Sequence, residues 1–318
     1  MLTGYPSPED LRAGSKRLLG QVLTRLETRA EDAETAAFLD TLCQETKGSV
    51  LGLTGPPGVG KSSLTDALIK AYRAEGKRVA VLAIDPSSSV TGGALLGDRT
   101  RLKTDPLDDG VFVRSMAARD RLGGLSDQAV AAITVLRAVV DRVIVETVGI
   151  GQSEGDLKHA VDTVLLCIQP GSGDSLQFMK AGIMELPDLV AVTKSDLGTL
   201  ARRASSDVAG ALSLAHREGQ GWQVPVTEVS SHTGAGIADL IASADTHRDY
   251  LDRTGLISRR RQQHVAWFKD MVRTEFGRAG LGMLAGETCG DWTSRAADNP
   301  FESFHAFAAQ LGTRLQAT

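Results

Sequence analysis

Cysteine is scarce in this chain. The three thiols, Cys43, Cys167 and Cys289, stand far apart and none forms a C-x-x-C pair. That spacing excludes a disulfide framework and a zinc site of thiolates, and it suits a reducing cytoplasm. Long hydrophobic runs are missing as well: no apolar stretch reaches the ~18 residues that a membrane span needs. Met1 to Asp10 lacks a basic region followed by an apolar one, so no secretory leader is expected. Neither sign of charge dominates. The net charge is −4, which gives no reason to expect nucleic acid as a partner. The basic run Arg259-Arg260-Arg261 is short and reads as a solvated helix face or an interface rim. There is no internal repeat and no low-complexity tract.

What is present is ordinary for a globular protein, with 42% hydrophobic and 23% charged residues. A chain of 318 residues can bury a large core, as one domain with appendages or as two domains. Residues 8–46 read as two amphipathic helices, one with a stripe from Leu11 to Leu26 and one around Phe38, Leu39 and Leu42. From 49 to about 245, strands alternate with helices. Strands are expected at 49–54, 78–84, 111–114, 141–147, 163–168, 188–193 and 225–229, and helices at 62–75, 126–139, 175–185, 199–217 and 235–250. Near-continuous apolar runs such as Val79 to Ile84 fit a parallel sheet covered on both faces. The fold class is therefore α/β: a doubly wound, mainly parallel sheet with helical N- and C-terminal extensions. Its ligand is expected at the carboxyl ends of the strands. From 251 the pattern is helical, broken at Gly277, Gly280, Gly282 and Gly286, with a final helix near 301–315. That segment has too few residues for a core of its own. The division expected is 1–48, 49–250 and 251–318.

The most informative stretch is Gly55-Pro56-Pro57-Gly58-Val59-Gly60-Lys61-Ser62, which fits G-x-x-x-x-G-K-[ST]. The strand Ser49–Thr54 precedes it and a helix starting near Ser63 follows, the context this motif requires. Backbone N–H groups of such a loop and of the helix start form a concave anion site. Lys61 can reach β- and γ-phosphates, and Ser62 can place its hydroxyl on Mg²⁺. A plain glycine-rich turn would have no use for a lysine–serine pair at the helix start.

Further motifs close other strands. Glu146 ends an apolar strand with Gly149 three residues on; the acid approaches Mg²⁺ and the glycine N–H can meet the γ-phosphate, or the acid simply closes a strand. Thr193-Lys194-Ser195-Asp196 is similar to the guanine-recognition motif N-K-x-D. Asp196 can accept from guanine N1–H and its exocyclic amine, while Lys194 lies along the base; otherwise Ser195 or Asp196 is a helix cap. Ser230-Ser231-His232 follows the next strand, where a small polar loop completes a base pocket. Asp85 can serve Mg²⁺ through water or orient the attacking water. Asp98, in the polar loop from Thr91 to Arg101, is either a second acid at the metal or a helix cap.

In this order the segments resemble the methylmalonyl-CoA mutase-associated G proteins, the MeaB/ArgK type of P-loop GTPase. The carriers are Gly55–Ser63, Asp85–Ser89, Gly92–Leu102, Glu146–Glu154, Gly173–Glu185, Thr193–Asp196 and the tail Gly255–Trp267. The resemblance implies a GTP-hydrolysing chaperone that gates the loading, protection or reactivation of a cobalamin-dependent acyl-CoA mutase. It implies Mg²⁺ as cofactor, GTP and GDP as ligands, and a homodimer formed through the C-terminal arm. No motif for direct cobalamin binding is present. By the same resemblance, Gly149 to Glu154 and Asp174 to Lys180 are switch segments. Thr193 and Ser195 depart from the usual asparagine and alanine.

Ile150 stands where Ras-like proteins carry a water-orienting glutamine, and Gln152 comes two residues later. Slow intrinsic hydrolysis is therefore expected. Lys180 either supplies positive charge to the transferring phosphoryl group or is a solvated helix lysine. Two rival readings share the P-loop: a metallochaperone GTPase for nickel enzymes, and a small-molecule kinase. The six histidines and three cysteines form no ligand cluster in sequence, which speaks against the first. Asp196 speaks against ATP and so against the second.

Overall fold

The computed structural model describes residues 4–28, 32–45, 47–86, 102, 104–105, 107–118, 125–147, 157–171, 186–215, 221–286 and 289–316. Seven strands form one sheet: β1 (Ser49–Thr54), β2 (Val79–Pro86), β3 (Val111–Ala118), β4 (Arg142–Glu146), β5 (Thr163–Ile168), β6 (Leu189–Val192) and β7 (Val226–Glu228). Their order is β3-β2-β4-β1-β5-β6-β7, and every neighbouring pair is parallel. This is the α/β class expected. β1 is central, so the loop that leaves it is flanked by the ends of β4 and β5.

Both faces of the sheet are covered, which is why the strands read as unbroken apolar runs. On β5, Val164, Leu166 and Ile168 face one layer, and Leu165 and Cys167 face the other. One layer holds α4 (Lys61–Ala74) and α7 (Ile237–Thr254), packed through Leu64, Leu68, Leu240 and Ile241. The opposite layer holds α5 (Asp127–Val139) and α6 (Thr199–Ala215). Outside α5 lie α1 (Pro8–Ala13), α2 (Lys16–Thr28) and α3 (Ala33–Cys43).

The N-terminal region thus has three helices where two were expected. The split falls at Gly14, where a Cβ would meet the Asp10 carbonyl at 2.8 Å and the Leu18 side chain at 2.7 Å. β3 runs four residues past its expected end, because β2 continues to Pro86 and pairs with it up to Ala118. The helix expected at 175–185 lies outside the described residues.

The C-terminal helices are α8 (Leu256–Leu284), α9 (Cys289–Asp298) and α10 (Pro300–Gln316). Of the four glycines expected to break α8, Gly277 alone is a kink, at φ 56° and ψ −141°. Gly280 and Gly282 stay inside the helix, and Gly286 lies just beyond its end. These helices do have a small core of their own, made by Phe268, Val272, Leu284, Trp292, Ala296 and Phe307. The expectation missed it because the six positions come from three separate helices rather than one stripe. α10 also packs on α3, and Phe301 joins the N-terminal core.

The arginine run at the start of α8 is not a solvated face. Arg260 is 3% exposed and grips the buried Asp162 through Nε (2.9 Å) and Nη2 (2.7 Å). Arg259 donates to Asp188 at 3.0 Å, and Arg261 pairs with Asp298 at the surface. Asp162 and Asp188 each precede a strand, and each accepts the N–H of the neighbouring strand's first residues, Val50 and Val164, at 2.9 Å. Two successive arginines therefore hold the amino ends of three strands, far from their carboxyl ends.

Candidate nucleotide site

The loop from Gly55 to Gly60 joins β1 to α4 at the carboxyl end of the sheet. Gly55, at φ +141°, sits against the Cys167 carbonyl of β5, and any side chain there would collide with it. Gly60, at φ +101°, turns the chain into the helix as its cap. Val59 is fully buried and anchors the loop from below. Pro57 and Ser63 face outward. Lys61, 8% exposed, curls over the loop and donates to the carbonyls of Gly55 (2.7 Å) and Pro56 (3.2 Å).

Register places Leu53 beside Glu146, so the acid emerges one strand away from the loop. Ser62 Oγ donates to Glu146 Oε1 at 2.6 Å, and Thr65 Oγ1 donates to Oε2 at 2.9 Å. The carboxylate is buried and meets two hydroxyls, a set of hard oxygen donors at one point. Asp85 lies on β2 with its backbone paired to Ala117, and its side chain is outside the described set. Asp98, Gly149, Gln152 and Lys180 lie outside the described residues.

β6 and β7 bring the second group of residues to the same end. Thr193, 3% exposed, donates its hydroxyl to the Val59 carbonyl at 2.7 Å and to that of Ile168 at 3.1 Å. The residue that departs from the usual asparagine thus ties its strand directly to the phosphate loop. Lys194 is left-handed at φ 56°, the one non-glycine residue with positive φ among the described residues. Such backbone collects at functional sites. Its Nζ reaches the Gly58 carbonyl at 3.1 Å and the side-chain oxygen of Gln169. Asp196 is exposed and accepts from Ser230 Oγ at 2.6 Å. That hydroxyl and the residue's own amide hold its carboxyl below the usual range. Ser230 is buried, while Ser231 and His232 stand on the open side of the turn that Ser230 anchors.

Three participants were not singled out in the sequence. Thr65 follows Ser62 by three helical positions and therefore shares its face. Gln169 directly follows β5, and Cys167 presses its carbonyl on Gly55. Only Thr65 carried a signal that spacing could have found.

Comparison with known proteins gives the family of the chain. The family model described as methylmalonyl Co-A mutase-associated GTPase MeaB matches residues 19–280. A putative GTPase of Pyrococcus horikoshii is 39% identical over 266 residues, covering 81% of each chain. A probable GTPase of Mycobacterium tuberculosis is 36% identical, covering 83% of this chain and 80% of its own. The mitochondrial methylmalonic aciduria type A homolog of Mus musculus is 37% identical over 70% of this chain and 55% of its own. Among solved structures, an LAO/AO transport system kinase superposes with a TM-score of 0.69 at 28% identity, covering 97% of this chain and 96% of its own. A nickel-bound HypB from Helicobacter pylori, at 17% identity and a TM-score of 0.51, shares the fold. With a family model matched over residues 19–280 and relatives at 36–39% identity, the chain belongs to the methylmalonyl-CoA mutase-associated GTPase family, MeaB.

Proposed function

We propose that this GTPase is a cytoplasmic chaperone of a cobalamin-dependent acyl-CoA mutase, and that it gates adenosylcobalamin loading, protection or reactivation. The observation that carries this reading is family membership over residues 19–280, together with a mouse relative named for methylmalonic aciduria. Residues 1–48 are a helical preface, 49–250 the nucleotide domain, and 251–318 an arm that pairs two copies.

The residues divide the work as follows. Backbone N–H groups of Gly55 to Ser63 cradle the phosphates, and Lys61 exchanges its carbonyl partners for β- and γ-oxygens. Ser62 and Glu146, already bonded to each other, form the donor set that fits Mg²⁺, with Asp85 and Asp98 as further acids. Mg²⁺ draws negative charge off the phosphate oxygens when bound. Asp196 reads guanine N1–H and the exocyclic amine, with Lys194 along the base and the Ser230–His232 turn behind it. Water attacks the γ-phosphorus, the bond to the β-phosphate oxygen breaks, and GDP and phosphate leave. Gln152 orients that water, Gly149 senses the γ-phosphate, and Lys180 adds positive charge.

The name of the solved LAO/AO transport system kinase favours a second reading, transfer of the phosphoryl group to a small acceptor. One experiment separates the two. Phosphate release from GTP and from ATP is measured with and without a purified cobalamin-dependent acyl-CoA mutase, with Lys61→Ala as the inactive control. Slow, GTP-specific release into water that rises with the mutase supports the chaperone. Release that ignores every such mutase removes the client. Phosphate passed to an acceptor, or a preference for ATP, overturns the reading.

A further inference from the structure

A second polar site lies under the C-terminal helices, away from the nucleotide. Here α5, the segment 157–160, α8 and the start of α10 enclose a cavity of about 20 Å³, enough for one water-sized occupant. Its polar walls are Thr134, Arg137, His159, Gln263, His264 and Trp267.

Among the described residues, the two buried lining atoms that lack a partner, on Arg137 and Trp267, are both donors. Arg137 is 4% exposed, and its Nε has no hydrogen-bond partner. The indole Nε1 of Trp267 is buried and also unpartnered. Neither N–H can accept. The neighbouring polar groups bond mostly to one another or to the backbone. His264 Nδ1 stands 3.0 Å from the Ala297 carbonyl, so it carries the proton, and Nε2 accepts from Arg137 Nη2 at 3.4 Å. Gln263 Nε2 is spent on the carbonyls of Lys158 (2.9 Å) and Val161 (2.7 Å). Thr134 Oγ1 donates to the Val130 carbonyl at 3.0 Å.

Charge points the same way. Arg137 and Arg260 are both buried, and the carboxylate they share is Asp162, whose two oxygens are both taken by Arg260. Arg248 also approaches Asp162, at 3.9 Å, but has Asp252 as its own partner at 3.0 Å. The thiol of Cys43 beside Arg137 is pushed up to about 12 by burial and stays neutral. Burial and the Arg137 cation push His264 down to about 4, so the imidazole adds no charge at neutral pH. A guanidinium without its own counter-charge is costly in such a place.

We propose that this cavity is a binding site for a monatomic anion of halide size, held by the Arg137 guanidinium and the Trp267 indole N–H. A water also fits the space and can pass its protons to Thr134 Oγ1 or the His159 ring, but it brings no charge to set against Arg137. An anion needs donors alone. Once bound, it joins α5 to α8 and fixes how the C-terminal helices seat on the nucleotide domain.

The test uses the full chain at constant ionic strength. Thermal unfolding is compared in sodium bromide and sodium gluconate, and a crystal grown in bromide is measured at the bromine absorption edge. At ten times its dissociation constant, bromide raises the midpoint by about 2 °C over gluconate, and an anomalous peak stands between Arg137 and Trp267. Trp267→Phe keeps the ring and its packing on Phe301, loses the donor, and shrinks the bromide shift. Arg137→Gln abolishes it; if that variant does not fold, Trp267→Phe and the anomalous map carry the test. Equal midpoints in both salts, or a cavity without an anomalous peak, overturn the proposal.

Discussion

At the scale of single residues, Thr193 does the most with the least. Its hydroxyl is what holds β6 against the phosphate loop, at Val59. Thr193→Val keeps shape but leaves the Val59 carbonyl without that donor, which costs about 1–3 kcal/mol. The expected result is a chemical-denaturation midpoint below wild type and weaker GDP binding in a titration. Unchanged GDP affinity would show that the tie between strand and loop is dispensable. Asp196 makes a different prediction, of specificity rather than stability. Xanthine carries a carbonyl where guanine carries its exocyclic amine, so a donor must replace the acceptor. Asp196→Asn should weaken GTP by about 10- to 100-fold, the value of charge-assisted hydrogen bonds, and should improve xanthosine triphosphate. Competition of the two nucleotides for one fluorescent GDP analogue reads both effects.

The legibility of the sequence also varied residue by residue. The P-loop announced itself because phosphate binding needs glycine at fixed spacing, and spacing is what a sequence shows. Thr193 was visible only as a departure, because its bond is to a loop 134 positions away. Gln169 gave no signal, since a single amide after a strand has many ordinary uses. Arg260 was misread, because three basic residues in a row look solvated until their carboxylates, 98 and 71 positions distant, fold beneath them.

At the scale of elements, strand positions and their parallel class were readable, and helix ends less so. Doubly covered parallel strands leave long apolar runs that nothing else in a soluble chain explains. Helix continuity through Gly280 and Gly282 depends instead on tertiary packing, which overrides propensity. The clasp between α8 and the sheet is an element-scale device. Arg260→Met leaves Asp162 ionised and buried with Val50 N–H as a lone amide partner, and should cost about 3–5 kcal/mol. Adding Asp162→Asn should recover part of that loss, because the charge is then gone. A double-mutant cycle in denaturant measures both; simple additivity would show that the two side chains do not interact.

At the scale of the whole molecule, the two ends of the chain meet at one carboxyl group. Asp40 of α3 accepts from the amides of Phe301 (3.1 Å) and Glu302 (2.8 Å) at the start of α10. Burial outweighs those two donors and pushes its carboxyl up to about 7, from 3.8. A pKa raised by folding means that the protonated form is the favoured one. Its stabilising contribution is complete below about pH 4 and is lost as pH rises through about 7. Asp40→Asn cannot ionise, so its unfolding midpoint should fall less than that of wild type between pH 6 and pH 8. A parallel pair of curves would remove Asp40 as the cause.

The clasp beneath the sheet also has a meaning in time. Asp162 is made 98 residues before Arg260. At about 5–20 residues per second, the ribosome takes roughly 5–20 s to deliver the arginine after its carboxylate. Through that interval the nascent sheet carries an acid at the foot of β5 without the guanidinium that grips both its oxygens. The clasp on the sheet is thereby scheduled late, after about four fifths of the chain has been made.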